Sequence, residues 1–156
     1  MPGVKGGMAA KIDLSKLEYV LDNGSQRHRD SRKGVIREQV AWDCTAERIG
    51  QKTVVYQDGT PIIVYPYSIP LQARFSMFGW NTMKTRQRIN SFLPRGWVIH
   101  KEGGRLFLDY TFEPHIMRTR MDEYGLWFVS AAEDGDEPNF KLLASATSHE
   151  AMIHIF

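Results

Sequence analysis

The chain has few of the features that would place it outside the cell or in a membrane. Its 156 residues include one cysteine, Cys44, so no disulfide can form within the chain, and a reducing compartment is the simplest expectation. No apolar run approaches the ~20 residues that a membrane span needs, and residues 1–10 lack the apolar segment of a signal peptide. Cys44 lies in a strand-like segment, where a small core residue is a more frequent role than a nucleophile. Apolar residues make up 42% of the chain, enough for the core of one domain.

Several compact enzyme signatures are also missing. The sequence has no P-loop and no Gly-x-Ser-x-Gly nucleophile turn, and it has no second cysteine for a zinc knuckle. His149 and His154 are five residues apart, whereas two zinc ligands on one helix face are four apart. Asp109 and Glu113 do not have the arrangement of a general acid and base pair. We therefore expect no catalytic residue, metal or cofactor, although residues distant in sequence could still assemble a site.

Charge is distributed unevenly along the chain. Residues 71–120 contain nine Lys and Arg against three acids, residues 121–156 contain one against seven, and residues 1–70 contain ten against eight. The basic middle suits an anionic ligand such as a phosphate. The acidic C-terminal part argues against a continuous basic surface for duplex DNA.

The first forty residues carry weaker signals. Residues 1–11 are expected to be flexible, and residues 12–21 have the apolar spacing of a short helix. A basic segment over 27–37 is interpreted as a solvated or mobile arm, with a contribution to a binding site as the alternative. Residues 12–156 are expected to form a single α+β domain.

From Val40 onward the pattern predicts antiparallel hairpins, with turns at Asp58-Gly59 and Gly103-Gly104. The predicted strands cover 42–46, 53–56, 62–65, 71–77, 97–100, 105–112, 126–129 and 151–156.

Two helices and one loop interrupt these strands. Residues 82–93 have the period of an amphipathic helix, capped by Asn81 or Thr82. A short helix is predicted over 141–146, after an acidic loop over 133–138. The expected fold class is α+β: an antiparallel β-sheet of hairpins with a central inserted helix and a helical and basic N-terminal segment.

The change from strand to helix over 79–90 concentrates the polar and aromatic chemistry of the chain. Trp80 precedes the helix and could stack on a base, which is worth ~1–3 kcal/mol. Backbone N–H groups at the helix start favour a phosphate, and Asn90 could bond to an adenine edge or a ribose hydroxyl. Arg105, which opens the next hairpin strand, could hold a second phosphate. The candidate ligand-binding residues are Trp80, Thr82, Thr85, Arg88, Asn90 and Arg105.

A purely structural interpretation of the same residues stays open at this point. Trp80 would fill the core, Thr82 and Thr85 would cap the helix, and Arg86 and Arg88 would be solvated charges.

Two stretches, 58–65 and 79–94, resemble a group of small phage proteins. The second stretch carries Gly-Trp-x-Thr-x-x-Thr-x-x-Arg-Ile-Asn from Gly79 to Asn90, before a helix that ends at Pro94. The group is similar to the anti-Thoeris sponge family, whose members sequester cyclic ADP-ribose isomers made by bacterial TIR-domain immune enzymes. The resemblance covers residues 42–112, so residues 113–156 form a C-terminal extension outside it.

The resemblance implies a site and an assembly. The family pocket contains an aromatic residue and an asparagine ten positions later, which match Trp80 and Asn90. A later family arginine maps to Arg105, and an N-terminal one maps to Arg27 or Arg29. The family binds without cleaving, forms dimers or larger homo-oligomers with pockets shared between subunits, and in some members also holds cyclic oligonucleotides.

The leading hypothesis is therefore a phage immune-evasion sponge in the cytoplasm of an infected bacterial cell, which is not an enzyme. The alternative is a small phage nucleic-acid-binding regulatory protein that uses the helix over 82–93 and the basic segment over 27–37. An enzyme that acts on a nucleotide, and a protein that binds only another protein, are the remaining possibilities.

Overall fold

The computed structural model describes residues 29–30, 35–41, 43–66, 71–132 and 137–154, together with Leu17 and Leu21. Leu17 and Leu21 are both buried in the main core. The rest of the predicted helix over 12–21, the flexible residues 1–11 and most of the acidic loop over 133–138 lie outside the described residues.

Within the described residues, the chain forms mostly antiparallel strands with two helices, so the α+β expectation is confirmed. The strands are β1 (Arg29–Asp30), β2 (Val35–Ala41), β3 (Cys44–Ile49), β4 (Lys52–Gln57), β5 (Thr60–Pro66), β6 (Gln72–Phe75), β7 (Trp97–Glu102), β8 (Arg105–Tyr110), β9 (Met117–Met121), β10 (Leu126–Ser130) and β11 (Asn139–Ala144). The helices are α1 (Met83–Phe92) and α2 (His149–Ile153).

The strands form two sheets. The larger has the order β1-β2-β3-β4-β5-β6-β10-β11, and the smaller has the order β7-β8-β9. Helix α1 connects the two sheets, because it follows β6 of the larger one and precedes β7 of the smaller one. The predicted insertion of a central helix between hairpins is therefore confirmed.

Both predicted hairpin turns are confirmed. The β4–β5 turn has Asp58 and Gly59 at φ values of 48° and 84°, and the β7–β8 turn has Gly103 and Gly104 at 59° and 77°. Two central residues with positive φ define the type I′ turn, whose twist matches that of antiparallel strands. Local turn chemistry therefore starts the register of both hairpins, which β7–β8 keeps throughout and β4–β5 changes once, between Val55 and Tyr56.

One apolar core joins both sheets and α1. Alternation along the strands directs Val55 and Ile63 into this core, whereas their neighbours Val54 and Val64 point to the opposite face of the larger sheet. That second face is covered by α2 through Met152, which is fully buried.

Two predictions near the C-terminus are wrong. Residues 141–144 of the segment predicted as a helix over 141–146 belong to β11, which pairs with β10 from Ser130↔Asn139 onward. Residues 151–153 of the segment predicted as a strand over 151–156 belong to α2 instead. Ser148 caps this helix by accepting a hydrogen bond from the N–H of Ala151 at 3.0 Å. Pairing with β10 and a serine N-cap outweigh the weak periodicity of these short segments.

Three further differences concern β1, β2 and β9. The predicted strand over 42–46 is divided by a turn at Asp43, between β2 and β3. The basic segment over 27–37, interpreted as a mobile arm, contains β1 and the start of β2. Strand β9, in which exposed Arg118 and Arg120 alternate with more buried neighbours, was not predicted.

Candidate functional site

The chain leaves β6 through a tight turn that orients Trp80. The N–H of Trp80 donates to the carbonyl of Met77 at 2.9 Å, and the two central residues, Phe78 and Gly79, have φ values of 51° and 81°. This is a type I′ turn. A bulky residue at positive φ is uncommon and costs roughly 1–2 kcal/mol. The ring of Phe78 is held edge-on against His149, with ring centroids 4.9 Å apart.

The turn exposes the indole of Trp80, whose side chain is 54% accessible. The interpretation of Trp80 as a core residue is therefore wrong. Gly79 is required beside it for a steric reason, because a Cβ there would lie 2.9 Å from the ring of Tyr124. The N–H of Gly79 also donates to the carbonyl of Glu123 at 2.6 Å, which ties the turn to the β9–β10 loop.

The start of α1 is capped as predicted. The hydroxyl of Thr82 accepts a hydrogen bond from the N–H of Thr85 at 3.1 Å and lies 3.0 Å from the Thr85 hydroxyl. Thr85 is buried, so its side chain serves the helix cap and does not face a ligand. The N–H groups of Met83 and Lys84 belong to the first turn, which has no acceptors within the helix. These two N–H groups are the part of the helix start that an anion could use.

The structure places Asn90 away from the predicted site. Its side chain is fully buried, donates to the carbonyl of Ile99 at 3.0 Å and accepts from the N–H of Ile99 at 2.6 Å. The amide therefore occupies the place of a neighbouring strand on the free edge of β7. Asn90 holds α1 against the smaller sheet, and the prediction that it contacts a ligand edge is corrected on this ground.

Arg88 is held by a buried carboxylate. Its Nε donates to Asp43 at 2.5 Å, while Gln57 donates to the other carboxylate oxygen at 2.9 Å and Lys84 lies 3.4 Å from it. Burial alone would raise the pKa of Asp43, but the hydrogen bonds from Gln57 and Arg88 and the Arg88 charge outweigh it and lower the pKa to about 2. Asp43 therefore stays ionised and fixes the guanidinium of Arg88.

The charges of this ion-pair cluster largely cancel, so its net charge attracts a phosphate only weakly. Lys84 also lies 3.9 Å from the carboxylate of Asp58, so two cations face two acids. The terminal nitrogens of Arg88 donate to no group in the part of the chain that the structure describes, and Lys84 remains largely exposed. Direct bonds from these groups, and not net charge, are what the site offers to an anion.

The other two predicted arginines are not brought to the junction. Arg105 is exposed and begins β8, opposite Glu102, on the smaller sheet. Arg29 lies in β1, opposite Ile36, at the far end of the larger sheet from β6. Of the predicted residues, Trp80 and Thr82 remain exposed at the start of α1, and Arg88 remains partly exposed further along the same helix.

Sequence reasoning missed an exposed strip beside Trp80. Tyr124 lies against Gly79, and Leu142 lies against Gly125, the residue after Tyr124. We call Trp80, Tyr124 and Leu142 the exposed apolar strip. Tyr124 is 58% accessible and Leu142 is 45% accessible. The available signal was an aromatic residue beside a glycine in each of two loops, Gly79-Trp80 and Tyr124-Gly125. Large exposed side chains grouped in this way mark binding surfaces more often than isolated ones do.

Neither a metal centre nor a large cavity is present among the described residues. Among the described residues, no three His, Cys, Asp or Glu side chains are grouped so as to hold a metal ion. A cleft between Arg95, Tyr110 and Phe112 has a volume of about 80 Å³. This volume is far below the ~300 Å³ at the lower end of small-molecule sites.

No helix in the described part of the chain is long and apolar enough to cross a membrane.

Comparison with protein-family models, with curated proteins and with solved structures finds no match to this chain.

Proposed function

We propose that this chain captures a small phosphorylated ligand with an aromatic base and holds it without changing it. The observation that carries the proposal is the exposed indole of Trp80, carried on a strained turn directly before the start of α1. An indole is a stacking surface that every base can use, and a helix start favours phosphate.

The resemblance of residues 58–65 and 79–94 to the anti-Thoeris sponges gives the ligand class within this proposal. The ligand would be a cyclic ADP-ribose isomer, captured in an infected bacterial cell so that the host immune effector is not activated. Trp80 stacks on the base, while the first-turn N–H groups and the terminal nitrogens of Arg88 bond to phosphate. Arg105 and Arg29 lie elsewhere in one chain, so they contribute only if a second subunit brings them to the site, as in the family's shared pockets.

A sponge of this kind acts stoichiometrically. Its effect depends on a low dissociation constant and on slow release, because each pocket must out-compete the effector for the same signal. No residue of the site is assigned a proton transfer or a nucleophilic step in this proposal.

Thermal unfolding with a panel of cyclic nucleotides, including cyclic ADP-ribose, tests the proposal. A ligand at a hundredfold excess over its dissociation constant adds ~2.7 kcal/mol of stability, which corresponds to roughly 5–10 °C for a chain of this size. Trp80→Ala should weaken binding by about 5- to 150-fold, since stacking contributes ~1–3 kcal/mol. Phe112→Ala is the matched control, because Phe112 is an exposed aromatic residue outside the exposed apolar strip.

Heating the complex and identifying the released molecule by chromatography separates capture from catalysis. Intact ligand supports a sponge. Cleaved products, or the absence of a melting shift with every member of the panel, would contradict it.

A second candidate function, binding of single-stranded nucleic acid, is favoured by the outer face of the smaller sheet. The guanidinium of Arg118 lies 4.4 Å from the ring centroid of Phe107, and Arg120 is the cross-strand partner of Phe107. Arg105 points to the same face, two residues before Phe107. Arginine planes and aromatic rings on an open sheet are a common platform for unpaired bases. Asp109 binds Arg118 through both carboxylate oxygens, at 2.8 and 3.1 Å, which reduces the positive charge of the face.

Fluorescence anisotropy with a labelled thymidine oligonucleotide tests this alternative. If three arginines bind phosphates, the logarithm of the affinity should fall with the logarithm of salt concentration with a slope of about −2. Arg120→Ala should reduce that slope, whereas Arg95→Ala, outside the face, should not. No binding at low salt would remove this candidate.

A further inference from the structure

The indole N–H of Trp127 is a buried donor without a hydrogen-bond acceptor among the residues that the structure describes. Trp127 is 6% accessible. The contrast with Trp97 in the same core is informative, because the indole N–H of Trp97 donates to the carbonyl of Ser130 at 2.8 Å. Buried polar groups are satisfied in the great majority of cases, and each exception calls for an explanation.

The position of this donor connects it to the candidate site. A Cβ at position 125 would lie 2.8 Å from Nε1 of Trp127 and 2.8 Å from Cδ1 of Leu142. The indole edge of Trp127 and the side chain of Leu142 therefore both pack directly against Gly125, and a larger residue there would displace one of them. Leu142 is the cross-strand partner of Trp127, and its side chain is exposed. Tyr124 precedes Gly125 and lies against Gly79, the residue before Trp80. The N–H of Trp127 therefore lies beneath the exposed apolar strip.

We propose that the N–H of Trp127 is the directional contact of the Trp80 site, and that it donates to an in-plane acceptor of a nucleobase, either a carbonyl oxygen or a ring nitrogen. The proposal rests on the proposed function and specifies how the same site recognises its ligand. The side chain of Leu142 covers the donor in the free protein and moves aside when the base enters.

Stacking and hydrogen bonding have different roles in such a site. A ring stacked on Trp80 gains affinity with little selectivity, because every base has a π face. A buried donor gives selectivity, since a base that presents an amino group or a C–H at that position leaves the N–H unpaired. Asn90, which the sequence predicted to bond to the edge of the base, is hydrogen-bonded to the backbone of Ile99 instead. Trp127 supplies a donor that no other residue of the core uses in the described part of the chain.

The test uses the whole 156-residue chain and its indole N–H resonances in ¹H–¹⁵N spectra, assigned with single Trp→Phe variants. Cyclic ADP-ribose and AMP are the base-bearing probes, and ribose 5-phosphate is the base-free control. The resonance of Trp127 should move downfield with the base-bearing probes and stay in place with ribose 5-phosphate. Trp127→Phe should weaken binding of the base-bearing probes about fivefold, the effect of one neutral hydrogen bond.

Gly125→Ala provides a second variant that leaves the indole in place. Gly125 does not have a positive φ, so alanine is compatible with its backbone, but the new Cβ would lie 2.8 Å from Nε1 and would displace the indole or Leu142 from its present position. It should weaken the same probes, and it keeps the test decisive if Trp127→Phe does not fold.

The outcomes separate this inference from the function on which it rests. If the resonance of Trp80 responds to a base-bearing probe while that of Trp127 does not, the inference is wrong and the capture function stands. If neither resonance responds to any probe, the capture function fails and the inference fails with it. Equal binding by wild type, Trp127→Phe and Gly125→Ala would also overturn the inference.

Discussion

Replacing Asn90 by alanine distinguishes a structural role from a ligand-binding role for the residue that sequence placed at the centre of the site. The side chain is fully buried and makes two hydrogen bonds to the backbone of Ile99, at 3.0 and 2.6 Å. The substitution removes both bonds and leaves the N–H and the carbonyl of Ile99 without these partners. We therefore expect Asn90→Ala to destabilise the free protein, whether or not a ligand is present.

The size of the effect follows from those two groups. A buried backbone group that loses its partner costs about 1–3 kcal/mol, so the loss of both should cost about 3 kcal/mol. With a urea dependence of ~2 kcal/mol/M, the unfolding midpoint should fall by about 1.5 M. Ser91→Ala is the matched control on the same helix. Within the described residues the Ser91 hydroxyl donates only to the carbonyl of Gln87, and its loss should change stability by less than ~0.5 kcal/mol.

Two measurements provide the readout: urea unfolding followed by circular dichroism, and ligand binding measured on the folded fraction. A lowered midpoint with binding retained supports the role of Asn90 as a tether between α1 and β7. An unchanged midpoint with binding lost would refute the reasoning and restore the sequence-based prediction that the amide contacts the ligand.

Three further outcomes are expected from single groups. Burial raises the pKa of Cys44 to about 12, so the native protein should not react with a thiol reagent at pH 8, and unfolding in urea should release one equivalent. Gly96→Ala should destabilise by ~2 kcal/mol more than Gly59→Ala in urea unfolding, because both glycines have positive φ but a Cβ at 96 alone would lie 2.5 Å from Tyr110. The pKa of Asp43 lies at about 2, below its ordinary 3.8, so its contribution of ~2 kcal/mol should be complete above about pH 4 and lost as pH falls towards 2. Asp43→Asn should remove that part of the acid dependence, and equal acid sensitivity of variant and wild type would contradict the assignment.

The sequence predicted the parts of the fold that depend on neighbouring residues. The turns at Asp58-Gly59 and Gly103-Gly104 are confirmed because two adjacent residues with a tolerance for positive φ determine them. The N-cap at Thr82 is confirmed for a similar reason, since its hydroxyl bonds to a group three residues away.

Long-range pairing explains most of the errors. Segment 139–144 forms a strand because it pairs with the edge of β10. This pairing cannot be predicted from the sequence of the segment itself. Asn90 bonds to Ile99 because the edge of β7 is exposed beside α1, and Arg88 bonds to a carboxylate 45 positions earlier in the chain. The positive φ of Phe78 could not be predicted, because that backbone conformation is rare for a bulky residue.

Helix α1 divides into an anchored end and an exposed end, and this division makes capture without chemistry physically reasonable. Asn90 bonds to Ile99, and the hydroxyl of Tyr65 donates to the carbonyl of Phe92, so the C-terminal half is fixed to both sheets. The other end presents Trp80 on a turn whose strain is maintained by packing around Phe78. A stacking residue whose backbone is already ordered loses less conformational freedom when a ligand arrives, which favours tight binding and slow release. Substitutions at the anchored end should therefore lower stability, whereas substitution of Trp80 should lower affinity and leave stability almost unchanged.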